Sequence, residues 1–346
     1  MLKRLFFSCA LAGTLFVLAA VFAGSAAADS GFNPGFQTLG VWEAERKIRM
    51  DVAVWYPTKR APRLLQYDGW DILGARRAAI SPGLHPLLLL SHGTAGSRFS
   101  LHQLAAALAR EGFIVAAPTH QGDNIDSMGL LFSLGQLESR VRELRALPDI
   151  LLADETFGPA VDAAKIGVIG FGPGGAAALL MAGGRLDGAG WGEYCHRAGR
   201  GDPYCSQWVA ARMEIMAASI DPGQTYRDER IKAAAAVAPG YGMFFSAASL
   251  RDLAIPLLLL RADLDAVNRA PHHADAIRYA LPQSPEYHIL THTDNAALLS
   301  PCAQDLARML PGICIPSPAA DRRETQRQLA AHISRFMLRH LDNNAN

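Results

Sequence analysis

The sequence GFGPGG at residues 170–175 is the segment most like a catalytic motif. An apolar, strand-like run, Ile166–Ile169, precedes it, and an apolar helical run, Ala176–Met181, follows it. This strand–turn–helix arrangement is typical of the G-x-S-x-G turn, which lifts a serine hydroxyl above a sheet for nucleophilic attack. The central position here is Gly172, which has no side chain. The sequence therefore predicts the frame of a nucleophile site without its nucleophile.

The segments that would position this turn alternate between strands and helices. Such alternation predicts one α/β domain with a mostly parallel sheet covered by helices on both faces, with functional loops at the carboxyl ends of the strands. Residues 183–230 break the pattern and are predicted to form a cap-like insertion. We predict strands at Arg49–Tyr56, Pro86–Leu90, Phe113–Ala117, Ile166–Ile169, Ala233–Ala238, Pro256–Leu260 and Tyr287–Leu290, and helices at Leu101–Glu111, Leu137–Ala153 (kinked or interrupted at Pro148), Ala176–Met181 and Thr325–Leu341.

The N-terminal residues have the pattern of an export signal. Lys3 and Arg4 precede an apolar run at 5–24, and the small residues at 25–28 fit a cleavage site. Cleavage after Ala28 would make residues 1–28 a signal peptide and residues 29–346 a periplasmic or secreted α/β domain without membrane attachment. The alternative is an uncleaved anchor, because the apolar run is just long enough to span a bilayer.

Removal of the signal peptide would leave four cysteines: Cys195, Cys205, Cys302 and Cys314. An even number of cysteines in an exported chain predicts disulfides, and four cysteines allow three pairings. We favour Cys195–Cys205 with Cys302–Cys314, because each of these bonds closes a short loop. A metal or redox site is the alternative, which the absence of CxxC spacing disfavours.

The composition is that of an ordinary globular chain, with 50% apolar residues and a formal net charge of +1. No run of Lys and Arg suggests a phosphate-binding surface, so we expect no nucleic-acid partner. We also expect no cofactor. The expected partner is a small-molecule ligand or a protein, and the composition identifies neither.

Five segments together resemble the exported dienelactone-hydrolase-like (platelet-activating-factor-acetylhydrolase-like) α/β hydrolases. They are SHGTAGS (91–97), THQGDN (119–124), the turn at 170–175, RADLD (261–265) and PEYHILTHTDNAALLSPC (285–302), within a similarity that spans roughly Val41 to Leu341. The resemblance implies an α/β-hydrolase fold. It also implies an ancestral activity on short acyl esters or lactones, carried by a serine, a histidine and an aspartate.

By this resemblance the nucleophile position is Gly172 and the base position is Asn295. Family members carry a G-H-F-x-F-L-x-P-C type run around the histidine. Counting back from Pro301-Cys302 and counting forward from residues 286–288 both reach Asn295. An amide cannot take a proton from serine at neutral pH, as the general base must. The chain is therefore predicted to lack both the nucleophile and the base.

The resemblance places the retained acid at Asp265. Asp263 fits less well, because the family's acid comes three residues after the residue that aligns with Ala262. With no histidine to orient, we expect Asp265 to bond a loop or to pair with Arg261 or Arg269.

The oxyanion hole is predicted to be damaged as well. Such a hole uses the backbone N–H of the residue after the nucleophile and one from a loop after an earlier strand. Thr94 or Ala95 could supply the second N–H, whereas Pro173 has none for the first. Losing one donor costs on the order of 10²–10³ in rate. Glycine and proline also suit a strained turn that opens a helix, so Gly172 and Pro173 are interpreted as a turn relaxed for stability.

We therefore predict a catalytically degenerate α/β-hydrolase-fold protein, a pseudoenzyme that acts as an exported binding or scaffolding protein. The alternative is an ester or lactone hydrolase with a displaced site, in which His292 serves as the base. Its nucleophile would be one of the serines near the oxyanion loop, Ser91, Ser97 or Ser100. A surface histidine and turn-forming serines would explain the same residues.

Two further motifs favour ordinary structure over a site. The glycines at 170, 172 and 175 satisfy the dinucleotide pattern G-x-G-x-x-G, but Pro173 removes an N–H that phosphates would need. His272, His273 and Asp275, or His288 with His292, lack the spacing of zinc motifs such as HExxH. We predict neither a nucleotide site nor a metal site.

Overall fold

The structure, a computed structural model, describes residues 31–43 and 47–342. The predicted signal peptide at residues 1–28 lies outside this range. Within it, ten strands form one sheet. The strands are β1 (Asn33–Glu43), β2 (Ile48–Thr58), β3 (Arg63–Tyr67), β4 (Trp70–Arg76), β5 (His85–Ser91), β6 (Ile114–Pro118), β7 (Val161–Phe171), β8 (Ile231–Val237), β9 (Leu257–Ala262) and β10 (Glu286–Leu290).

The helices of the described residues lie mostly between the strands of the parallel half. They are α1 (His102–Arg110), α2 (Leu134–Ala153), α3 (Pro173–Met181), α4 (Tyr194–Ala198), α5 (Gln207–Ser219), α6 (Ala247–Leu250), α7 (Ala274–Ala280), α8 (Gln304–Met309), α9 (Pro311–Cys314) and α10 (Arg322–Asp342).

The sheet is mostly parallel, as the alternation of strands and helices predicts. Its order is β10-β9-β8-β7-β5-β6-β2-β1-β4-β3, and the six strands from β10 to β6 run parallel. β2 joins β6 antiparallel, and β1 joins β2 antiparallel. The carboxyl ends of β5, β7, β9 and β10 therefore lie along one edge, where the predicted site residues follow them.

Alternate residues of β5 pack on opposite faces of the sheet and form two hydrophobic cores. Leu87 and Leu89 belong to the core under α2 and α3, and Leu88 and Leu90 belong to the core under α1 and α10. All four are at most 1% exposed. Burying a leucine completely contributes roughly 1.5–3 kcal/mol, so the central strands hold the loops at their ends rigidly.

Helix α2 departs from the prediction, because it continues through Pro148 without interruption. Buried leucines lie on both sides of the proline, with Leu144 and Leu147 before it and Leu151 after it. Proline inside a helix costs about 3 kcal/mol. The burial of this apolar face is enough to offset that cost, which explains why the helix does not end at residue 147.

The segment between α3 and β8 contains the short helix α4, the longer helix α5 and a disulfide. Cys195 and Cys205 are bonded with their Cα atoms 5.6 Å apart. Cys302 and Cys314 are bonded with a Cα separation of 5.7 Å. Both pairs are the ones that loop length favours. None of the helices described here is both long and apolar enough to span a membrane.

Candidate functional site

Gly172 lies at the sharp turn between β7 and α3, with φ +53° and ψ −119°. This backbone region is sparsely populated, and residues other than glycine pay strain to occupy it. The turn is fixed by three backbone hydrogen bonds: the Gly172 N–H donates to the Val237 carbonyl at 3.1 Å, and the Gly172 carbonyl accepts from the N–H groups of Gly240 at 2.9 Å and Ala176 at 3.2 Å. A Cβ built on Gly172 would meet only the Gly93 Cα, at 3.9 Å. The space that a nucleophile's side chain would need is therefore open.

The neighbouring glycines are required by close packing. A Cβ on Gly170 would lie 1.9 Å from the Gly174 carbonyl oxygen, and one on Gly174 would lie 2.6 Å from the Ser91 carbonyl oxygen. Real Cβ atoms do not approach backbone atoms so closely. The close packing of Gly170 on α3, the positive φ of Gly172 and the contact of Gly175 with Pro239, whose Cα a Cβ would approach to 3.0 Å, account for the G-x-G-x-x-G spacing without any nucleotide.

Asp265 follows β9 and is hydrogen-bonded to the amide of Asn295. Its Oδ1 accepts from the Asn295 Nδ2 at 2.6 Å and from the backbone N–H groups of Val267 and Asn268 at 2.8 Å each. Its Oδ2 is buried, and no donor of the described residues lies within hydrogen-bond reach of it. Burial raises the pKa of this carboxyl, and the hydrogen bonds to Oδ1 oppose the shift.

Neither of the two expected arginines pairs with this acid. Arg261 lies 3.7 Å from Asp275, and the Nε of Arg269 donates to the Ala266 carbonyl. The expectation that Asp265 bonds a loop is confirmed, and the arginine alternative is wrong, because the loop that follows β9 supplies two N–H donors at closer range.

A cavity of about 230 Å³ joins Gly172, Pro173 and Asn295. These residues come from the loops after β7 and β10. Asp265 is buried and does not line the cavity, but it is hydrogen-bonded to Asn268 and Asn295, which do. The rest of the lining consists of Gly93, Thr94, Phe171, Tyr204, Val267, Asn268, Ala296, Leu298, Leu299, Gly312 and Ile313.

The three residues predicted to form the oxyanion hole differ in their position at the cavity and in their backbone N–H groups. Thr94 borders the cavity. The Ala95 N–H instead donates to Asp123 Oδ1 at 3.2 Å, so this donor is engaged inside the protein. Pro173 is the first residue of α3 and has no N–H to offer.

His292 lies on the protein surface in the loop after β10 and not in the lining of this cavity. Its backbone N–H donates to Asp263 Oδ2 at 2.9 Å, and its carbonyl accepts from the Asp321 N–H at 2.8 Å. Asp263 also accepts from the Thr293 N–H. Asp263 therefore holds the loop that carries His292, and the loop's backbone is bonded away from Gly172.

The histidines considered as metal ligands have separate partners. His273 is fully buried, accepts from the Gly242 N–H at Nδ1, and hydrogen-bonds the Tyr194 hydroxyl through Nε2. His288 stacks on His332, with their ring centroids 4.1 Å apart. Nowhere in residues 31–43 and 47–342 are three His, Cys, Asp or Glu side chains grouped so that they could hold a metal ion.

A series of hydrogen bonds that the sequence analysis missed lies beneath the site, through Ser91, His120 and Glu143. His120 Nε2 is 2.8 Å from Ser91 Oγ, and His120 Nδ1 is 2.6 Å from Glu143 Oε2. Arg140 donates to Ser91 Oγ at 3.1 Å, so the serine O–H is left to donate to His120. This is the donor sequence of a catalytic triad. However, Ser91 and His120 are both 0% exposed.

Burial shifts the pKa values of two members of the series. Burial raises the pKa of Glu143 to about 7. Burial and, to a smaller extent, the charge of Arg140 hold the pKa of His120 well below its usual value. His120 is therefore neutral at physiological pH, as a base must be, but no substrate can reach the serine it contacts.

Arg140 connects this series to the loop after β5. The guanidinium is fully buried, and it donates to the carbonyl oxygens of His92 at 2.5 Å and Gly93 at 3.1 Å. Its charge is balanced by Asp123, which accepts from Nε at 2.9 Å. The guanidinium therefore fixes the backbone that leads into Thr94.

The chain matches no family model and no curated protein. It does match solved structures, among them a ferulic acid esterase from Streptomyces cinnamoneus. The two share 19% sequence identity and a TM-score of 0.59, over 93% of this chain and 94% of that chain. At this identity the match establishes the fold alone. The chain has an α/β-hydrolase fold, which confirms the predicted fold class.

Proposed function

We propose that this chain is a non-hydrolytic ligand-binding protein that keeps the α/β-hydrolase fold, derived from exported dienelactone-hydrolase-like enzymes. The proposal includes export to the periplasm or the cell exterior. Two disulfides support this compartment, since such bonds persist mainly in oxidising surroundings.

The observation that carries the proposal is the contact between Asn295 and Asp265. In a serine hydrolase the buried acid accepts a hydrogen bond from the histidine, whose other nitrogen takes the proton of the serine. Here the acid accepts from an amide Nδ2 at 2.6 Å. An amide can donate to the acid as histidine does, but it has no basic nitrogen to receive the serine's proton.

The turn at Gly172 supports the same conclusion independently. The cavity is bordered by Gly172, which has no side chain, and by Pro173, which has no backbone N–H. Removal of the nucleophile alone from a well-studied triad costs about 10⁶ in rate. The cavity of about 230 Å³ nevertheless remains, bordered by apolar side chains and two side-chain amides. A lined cavity without reacting groups is suited to binding.

The test compares the natural protein with a variant whose reaction centre is rebuilt. Hydrolysis of p-nitrophenyl acetate and butyrate would be measured for the natural protein and for Gly172→Ser/Pro173→Ala/Asn295→His. We expect the natural protein to match the buffer blank, and the triple variant to exceed it by at least about a hundredfold, because serine, base and oxyanion donor together supply most of a triad's effect. The new serine has room, since its Cβ meets only Gly93 Cα.

Two controls make this comparison decisive. The variant Gly192→Ser adds a serine where no atom lies within 4 Å and the backbone is ordinary, so it should stay silent. Gly172→Ser/Pro173→Ala without the histidine should also stay near the blank. Turnover by the natural protein, retained after repeated purification, would reject the proposal.

A second candidate, a hydrolase with a displaced site, is favoured by the series Ser91, His120 and Glu143. Their hydrogen bonds have the order of a triad, although the serine is sealed from solvent. This candidate predicts turnover by the natural protein that Ser91→Ala abolishes. If turnover occurs and Ser91→Ala leaves it unchanged, this candidate is wrong too, and His292→Ala becomes the next variant.

A further inference from the structure

A second cavity of about 460 Å³, here called the side cleft, adjoins the cavity at Gly172. The two share Gly93, Thr94, Leu299 and Ile313 in their linings. The side cleft is bordered by the loop 93–98 and by residues at both sides of it. A ligand held over Gly172 can therefore extend into the side cleft without crossing the protein interior.

Part of the cleft's lining is apolar. Trp70, Leu306, Leu310 and Ile313 border it, and the disulfide Cys302–Cys314 holds the segment that carries the last three. The disulfide closes the loop that contains α8 and α9, and so it limits how far this wall can move. The wall suits an aromatic ring or a short alkyl chain.

Another part of the lining is acidic. Asp51, Asp68 and Asp126 border it, and the cation in its lining is Arg98. Arg98 is already paired: its guanidinium lies 3.0 Å from Asp68 and 3.5 Å from Asp51. Arg49, which is not part of the lining, lies 3.7 Å from Asp51 as well. In the described part of the chain no cation lies within salt-bridge distance of Asp126, so negative charge remains in excess.

Because the lining combines an apolar wall with acidic side chains, we infer that the side cleft binds an amphipathic cation. The ligand carries an ammonium or guanidinium group on an aromatic or short aliphatic body. The body lies against Leu306, Leu310 and Trp70, and the cation faces Asp126 and Asp68. The inference rests on the proposed function, since it treats the protein as one that holds its ligand intact. A carboxylate is disfavoured, because Arg98 is engaged by two aspartates.

The experiment uses three probes that share one phenylbutyl body and contain no ester bond. Isothermal titration would give the Kd of 4-phenylbutylamine, 4-phenylbutan-1-ol and 5-phenylvalerate with the natural protein. Ion pairs at exposed positions contribute a factor of about two to five each. We therefore expect the amine to bind about fivefold more tightly than the alcohol and about tenfold more tightly than the carboxylate, with the advantage reduced in 0.5 M NaCl.

Single substitutions locate the charge effect. Asp126→Asn and Asp68→Asn should each weaken amine binding by about two- to fivefold and leave the alcohol unchanged. Glu155→Gln removes one exposed acid from the loop that leads into β7, away from the carboxyl ends of the strands, and should change neither probe. Equal binding of amine and alcohol, tighter binding of the carboxylate, or no binding of any probe would each overturn the inference.

The binding measurements and the ester-hydrolysis assay test different proposals. The probes cannot be hydrolysed, so their ranking tests only the ligand class of the cleft. Turnover of p-nitrophenyl esters by the natural protein would reject the non-hydrolytic role whatever the ranking. A preference for the alcohol or the carboxylate would reject the cationic ligand and leave that role standing.

Discussion

Replacing Gly172 by serine should destabilise the protein even though the side chain fits. The nearest atom to the new Cβ is Gly93 Cα, at 3.9 Å, so the cost does not come from a clash. It comes from the backbone, because φ +53° with ψ −119° is a conformation that costs a residue with a Cβ about 1–3 kcal/mol. Serine lowers the entropy of the unfolded chain and returns about 0.4–1 kcal/mol. We expect a net loss of about 1–2 kcal/mol in the free energy of unfolding.

Urea denaturation followed by tryptophan fluorescence measures this loss. The matched control is Gly192→Ser, where φ is −52° and no atom lies within 4 Å of the new Cβ. Because the control adds the same side chain without the strained backbone, the difference between the two variants isolates the strain. Pro173→Ala should cost a further 0.4–1 kcal/mol or so, since proline at the first position of α3 restrains the unfolded chain.

The result that would refute this reasoning is a Gly172→Ser variant as stable as the Gly192→Ser control, or more stable than the natural protein. Either result would mean that the turn adapts to a side chain without strain. The interpretation of Gly172 and Pro173 as a turn relaxed for stability would then be wrong. Position 172 would still lack a nucleophilic side chain, but glycine at this position would give the protein no stability advantage.

Two further predictions concern buried charge. Burial lowers the pKa of His102 in the folded protein from 6.5 to about 4. Between these pH values the unfolded chain binds a proton that the folded protein does not. The stability contribution of this group is therefore complete above pH 6.5 and is lost as the pH falls towards 4. His102→Phe should therefore remove roughly 3 kcal/mol of the acid-induced loss in unfolding free energy, and identical pH profiles of the two proteins in urea denaturation would contradict this. Arg140→Met leaves the carboxylate of Asp123 buried without its cation and should cost about 3–5 kcal/mol. Arg140→Met/Asp123→Asn should regain part of that loss, and a double variant no more stable than the single one would argue against the pairing.

Most of the strands that the sequence revealed are buried on both faces, and β10, in which Leu290 is the buried residue, is the exception. The run PLLLL in β5 is continuous because each residue meets one of the two cores. β1, with the sequence NPGFQTLGVWE, was not predicted. It contains a proline and two glycines, which are rare in strands, and several of its residues are half-exposed. Its pairing with β2 over residues 33–43 is a tertiary effect that local pattern does not encode.

The series Ser91, His120 and Glu143 escaped the sequence analysis for a different reason. Its members are separated by 29 and 23 positions, and only the fold brings them together. A signal did exist on α2, where Arg140 and Glu143 occur among the buried positions Leu137 and Leu144. Charged residues on the buried face of a helix require partners inside the protein. That pattern could have indicated a buried polar network, though not its geometry.

Under the proposed function, the asparagine at residue 295 explains how Asp265 can be retained as a buried acid without a histidine beside it. Asp265 is 8% exposed, so an apolar residue at position 295 would leave its Oδ1 with only the two N–H groups of its own loop. The Asn295 amide replaces the histidine's donor function and not its basicity. On this proposal an exchange of histidine for asparagine costs little folding stability, whereas loss of the side-chain donor to Asp265 would cost about 1–3 kcal/mol. Selection for a stable cavity, without selection for turnover, is sufficient to keep Asp265 beside an amide.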